Sequence, residues 1–214
     1  MIVAVLLLAA PGAALAQSCP APREPPALRM TTELPPPDIR HTLTRPQIGA
    51  LGGHGHMSSD KRHAGLTRTR TAFAVKPNLR FLRLPGGAVC VQVTEVEASW
   101  RMTLFQVDIA AEYNRASCAY AEIWRHENQH VAIARKHFMA ADKALRQELG
   151  RVAAQTRPFV VRSTPQQAAR DLSAHFLAQA EPVLDKYRRD SVRDNGAIDT
   201  PESYRAVGAR CKDW

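Results

Sequence analysis

A chain of 214 residues with 29 Lys and Arg against 20 Asp and Glu, net charge +9, is long enough for one domain with a substantial core. Its basic surface suits anionic partners such as lipid headgroups, envelope polymers or acidic substrates. No aromatic–basic motif supports nucleic acid, and past the N-terminus no stretch is apolar enough to span a membrane.

The N-terminus reads Ile2 to Ala10 as an apolar run, then Pro11-Gly12 and Ala14-Leu15-Ala16. This predicts a secretory signal cleaved after Ala16, although the usual basic start is missing. The expected location is therefore periplasmic or secreted. In an oxidising compartment Cys19, Cys90, Cys118 and Cys211 should form two disulfides, with three connectivities open. Cys90–Cys118 and Cys19–Cys211 are the pairs expected. Residues 17–63 form a Pro- and Gly-rich segment, extended over 19–46. Residues 49–63 read as a mobile, exposed loop carrying His54, His56 and His63.

The folded domain is expected over 64–214. Phe73 and Val75 open a β-like run, followed by Leu79–Leu84, Ala88–Glu97 and Thr103–Ala110, with Pro85-Gly86-Gly87 as a turn. Short spacing and Gly/Pro turns predict a small antiparallel meander. Asn114 or Ser117 then caps a helix. Tyr120, Trp124, Glu127, Val131, Ala134, Phe138, Ala141, Leu145 and Leu149 recur at helical spacing, predicting one helix from about 116 to 151. Thr164-Pro165 opens a second helix with Leu172, Phe176, Ala180, Val183 and Tyr187 on its buried face, ending near 192 before Asn195-Gly196. The fold class is α+β: a small antiparallel sheet, a long helix and a second antiparallel helix.

The long helix carries His126-Glu127-Asn128-Gln129-His130. Residues four apart share a helix face, so His126 and His130 can hold one metal ion from one side. Glu127 is placed to work on water activated there. A carboxylate on an otherwise apolar seam needs a partner or a job. Catalytic zinc takes three protein ligands, and no third follows at short spacing. His137 lies about 10 Å further along the helix axis, and antiparallel pairing of the helices puts His175 out of reach. Residues 183–202 are the expected source, with Asp190 and Glu202 ranked first and Asp199 in the same tail. An edge strand such as Thr103–Ala110 could bind an extended peptide by strand addition. Tyr187 and Tyr204 are candidate oxyanion donors, each with core packing as the plainer role.

A Cys-bearing strand region, Tyr113-Asn114-Arg115-Ala116-Ser117-Cys118, the segment Trp124 to His130, a second helix and an Ile198-Asp199 tail follow one another in this chain. In this the chain resembles the zincin metallopeptidases. More narrowly it is similar to bacterial exported proteins described as predicted secreted zinc-dependent proteases, a domain-of-unknown-function family. The likeness spans roughly 66–204, and its specific part is the His-Glu-x-x-His motif. It implies a zincin-like fold, one zinc ion on His126 and His130, Glu127 as general base, and a peptide or protein substrate. The Gly and third His of metzincins do not follow His130, and no thermolysin-like Asn-Glu motif is present. A different class of reading is a noncatalytic periplasmic binding or envelope-assembly protein that uses the helix hairpin, with or without a structural metal. Hydrolysis of a cell-wall peptide bond would use the same site.

Overall fold

The computed structural model describes residues 18–52, 64–161, 164–212 and 214. The expected signal segment with its expected cleavage after Ala16, and His54, His56 and His63, lie outside the described residues. Two very long strands set the architecture. β3 (Gly65–Arg83) and β4 (Val89–Ile109) form an antiparallel hairpin closed by a 3₁₀ turn, Pro85–Gly87. Gly86 and Gly87 adopt φ of 80° and 87°, a region that L side chains avoid, so the turn depends on glycine.

The four short strands expected from sequence are therefore two. Phe73 through Leu84 is nearly one strand, because Pro77 sits on an edge strand where a missing N–H costs no ladder bond. Ala98 to Met102 contains no Gly, Pro, Asn or Asp, so β4 runs through. The excess length is absorbed at register shifts between Arg70/Thr71 and Asn78/Leu79. There the extra β4 residues, Thr103 and Thr94, donate hydroxyls back to the Arg70 and Asn78 carbonyls at 3.3 and 3.1 Å.

The sheet is not a purely antiparallel meander either. The Pro-rich segment supplies β1 (Ala27–Glu33) and β2 (Asp38–Arg40), both parallel to β4. With antiparallel β5 (Phe159–Val161), they take successive stretches of the β4 edge that β3 leaves open. A central strand has two rows of peptide groups to satisfy, and β1 and β2 of the N-terminal segment satisfy most of the second row. Residues 45–51, partly expected as loop, form helix α1 (Arg45–Leu51), with a capping box between Thr44 and Gln47.

α2 (Cys118–Gln155) and α3 (Pro165–Ile198) lie antiparallel on one face of the sheet. Ser117 caps α2 by accepting from Tyr120 N at 3.1 Å, and Thr164 caps α3. The buried α2 residues Ala119, Ile123, Val131, Ala134, Phe138, Leu145 and Leu149 recur at helical spacing and face the apolar side of β4. Trp100 on β4 is the hub: it stacks on Phe138, meets Tyr187 edge-on, and donates Nε1–H to the Phe138 carbonyl at 3.2 Å. Arg146 of α2 holds β1 by donating to the Met30 carbonyl (3.1 Å) and Thr32 Oγ1 (2.7 Å). No helix among the described residues is long and apolar enough to cross a membrane.

The disulfides join Cys19 to Cys90 and Cys118 to Cys211, not the expected pairs. The reason is length. Cys90 starts a 21-residue strand, about 65 Å long at 3.3 Å per residue. Cys118 opens the helix reached from that strand's far end, so the two cannot meet. Cys19 instead enters beside the start of β4. The hairpin of α2 and α3 returns the C-terminus to the start of α2.

Candidate metal centre

The i,i+4 spacing brings His126 and His130 together as expected. Both are buried, and their Nε2 atoms stand 3.3 Å apart. The third group is Asp199. Its Oδ1 lies 3.2 Å from His126 Nε2 and 3.1 Å from His130 Nε2. Among the described residues this is the one group of His, Cys, Asp or Glu side chains spaced to hold a metal ion.

Asp190 and Glu202, the two residues ranked first as third ligand, are elsewhere. Asp190 pairs with Lys186 and Arg193 on the surface of α3, and Glu202 is exposed and paired with Arg205. The cause is the helix end. α3 does not stop near 192; it continues through Asn195-Gly196 to Ile198, and Asp199 is its C-cap. The chain turns there into α4 (Pro201–Gly208), capped by Thr200. The residue at the turn, rather than one on either helix, points back at α2. His137 binds Asp194 at 2.8 Å, and His175 is exposed. Neither joins the cluster.

Hydrogen bonding fixes the proton on one imidazole. Asn195 Nδ2 donates to the Ser191 carbonyl at 2.7 Å, so its Oδ1 accepts from His130 Nδ1–H at 2.6 Å. Neutral His130 then has its Nε2 lone pair free to ligate, whereas protonated His130 donates Nε2–H to Asp199. Two imidazole nitrogens and a carboxylate brought this close are held together by a shared cation, a proton or a metal ion. The spacing suits a metal ion in that role. Three N/O ligands at about 2.0–2.1 Å around a tetrahedral ion stand about 3.3–3.4 Å apart, close to the 3.1–3.3 Å found here. The residues present fit zinc.

Protonation follows the same field. Burial lowers the pKa of His130, but hydrogen bonds to Asp199 and Asn195 and the charge of Glu127 outweigh it, and the net shift is upward. Burial also opposes ionisation of Asp199, yet His126, His130 and Tyr204 hold it well below the usual carboxylate range. Tyr204, on α4, donates its hydroxyl to Asp199 Oδ1 at 2.8 Å, and its ring lies 5.4 Å from that of His126. Burial and the charge of Asp199 push its phenol up, so it stays protonated. Tyr187, the other tyrosine considered, packs on Trp100 instead.

Glu127 is buried beside the two imidazoles. Thr67 of β3 donates to its Oε2 at 2.7 Å. Gly65 makes room for it: a Cβ there would sit 2.6 Å from Glu127 Oε1 and 2.8 Å from its Cγ. Burial pushes the carboxyl pKa up, against the pull of His130 and of the Thr67 hydrogen bond. Sequence reasoning missed Gly65, Thr67 and Asn195; the Asn195-Gly196 pair read as a helix stop.

Searches of the chain against models of known protein families, against curated proteins and against solved structures find no match.

Proposed function

We propose that this chain is an exported zinc-dependent peptidase whose sheet and α2 form a zincin-like frame. The observation that supports the reading most is the convergence of His126, His130 and Asp199, with Glu127 buried next to them. Two disulfides are compatible with an exported protein.

In this reading His126, His130 and Asp199 hold the zinc ion. When bound, zinc supplies Lewis acidity toward the scissile carbonyl and makes water acidic enough to deprotonate near neutral pH. Glu127 accepts a proton from the attacking water and delivers it to the leaving amine. Its burial places its basicity closer to working pH than that of an exposed carboxylate. Thr67 and Gly65 fix where that carboxylate stands, and Asn195 holds His130 in the ligating tautomer. Tyr204 keeps a hydroxyl donor on Asp199 at the rim of the site.

The test is zinc content of the oxidised, folded protein beside His126→Ala, followed by Glu127→Gln. One zinc per chain, lost in His126→Ala, is expected. Glu127→Gln should keep the metal and lower kcat by about 10²–10⁴-fold. Folded protein that takes up no zinc would sink the reading. Zinc retained without peptide hydrolysis would leave a noncatalytic metal-binding module.

A further inference from the structure

We propose that the cavity between α3 and β3 is a subsite for an apolar side chain of an extended peptide, about four residues N-terminal to the bond cut at the metal centre. The proposal rests on the peptidase reading above.

The cavity has a volume of about 230 Å³ and is lined by Thr71, Phe73, Trp100, Leu177, Leu184 and Tyr187, with Arg188 beside them. This falls below the roughly 300–1,000 Å³ of sites for free small molecules. It suits a single side chain. Phe73, Trp100, Leu177 and Leu184 call for an apolar one. Arg188 does not select an acid, because Glu181 and Asp185 already occupy its guanidinium.

Its link to the metal centre is β3. Thr67, Thr69 and Thr71 alternate with the outward residues of the strand and share its helix-facing side. Thr67 binds Glu127, and Thr71 bonds to Tyr187 at the cavity. Thr69, between them, is exposed although it faces the helix layer. The strand is thus open to solvent between the metal centre and the cavity. Among the described residues β3 pairs with β4 alone, so its other edge offers peptide groups for strand addition. The Thr103–Ala110 stretch, expected to play this part, lies in the central strand, paired with β3 over 104–109 and with β2 over 106–108.

Direction follows from register. β3 runs from Thr67 at the metal end to Thr71 at the cavity, four residues or about 13 Å. A strand added antiparallel, the more stable pairing, runs the opposite way. Its N-terminal part therefore lies at the cavity. Side chains opposite Thr67 and Thr71 point to the same face, so the residue four positions before the reacting one enters the cavity.

The experiment digests a randomised peptide mixture with zinc-loaded wild-type protein and maps the cuts by mass spectrometry. It then compares kcat/KM for peptide pairs differing only at the selected position. Wild type is expected to prefer Leu over Ala there by about tenfold. Leu177→Trp, which fills the cavity from its half-exposed rim, should reduce the preference to about twofold or less. Leu177→Ala, which enlarges it, should move the preference toward Phe and Trp. Absence of any cleavage by wild type would overturn the peptidase reading together with the subsite. Cleavage with no preference at that position, or a preference unaltered in both variants, would overturn the subsite alone.

Discussion

Asp199 Oδ1 stands 3.2 Å from His126 Nε2 and 3.1 Å from His130 Nε2, while the hydroxyl of Tyr204 donates to the same oxygen at 2.8 Å. One carboxylate at a helix end thus completes a triangle begun on another helix. Asp199→Ala should therefore weaken zinc binding by more than about 100-fold, since even outer-shell partners of a zinc site are worth about 10–100-fold. Asp190→Ala and Glu202→Ala should leave affinity unchanged. Competition titration with a chromophoric chelator measures all three, and equal affinities for Asp199→Ala and wild type would remove Asp199 from the site.

Gly65 is constrained by close approach, not by its backbone angles. A methyl group there meets Glu127 Oε1 at 2.6 Å, and Glu127 Cγ and Ile123 Cγ2 at 2.8 Å each. Gly65→Ala should cost about 1–3 kcal/mol in denaturant unfolding, the usual range for overpacking. It should also push Glu127 out of place, lowering kcat while zinc stoichiometry stays at one. A variant of wild-type stability and activity would mean that the strand shifts freely here.

Asp194 should govern part of the acid limb of stability. Arg193, then Lys136 and His137, hold its carboxyl far below the ordinary value of 3.8. A depressed native pKa contributes stability at pH above the unfolded value, and that contribution is lost as pH falls below it. In thermal melts wild type should exceed Asp194→Asn above about pH 4, and the two should converge as the pH drops further. A gap that stays constant with pH would contradict this.

The Cys118–Cys211 bond closes a separation of 93 residues, and the helix it secures, α4, buries no residue of its own. Replacing both cysteines by serine should cost about 2–5 kcal/mol. Hydrogen exchange should locate the damage in 201–208, where α4 is otherwise held by Tyr204 against Asp199 and His126 and, just past its end, by Arg210 with Glu122 at 2.9 Å, while Leu145 and Phe176 in the core stay protected. Uniform loss of protection across α2 and α3 would show that the bond supports the whole fold.

The chain's local regularities were readable without coordinates. The seam from Tyr120 to Leu149, the Ser117 and Thr164 caps and the Pro85–Gly87 turn each depend on residues within a few positions of one another. So does the pairing of His126 with His130, because helix geometry alone sets an i,i+4 distance. Strand ends were less legible. Bulges at Thr94 and Thr103 let two strands run on where shorter ones were expected. Nothing local in the Pro-rich segment announces β1 and β2, whose partners lie 68 positions away in β4.

By itself, then, the sequence determined a two-helix hairpin, a pair of imidazoles able to share an ion, and a carboxylate on the buried side of the same helix. Periodicity and side-chain chemistry suffice for these. The tertiary structure decided which acid joins the imidazoles, which asparagine sets the tautomer of His130, where Gly65 and Thr67 meet Glu127, and how four cysteines pair. Each of those contacts joins residues more than 50 positions apart in the chain. Their meeting depends on the length of β4, the point where α3 ends and the angle at which the chain leaves it, and these are properties of the packed whole.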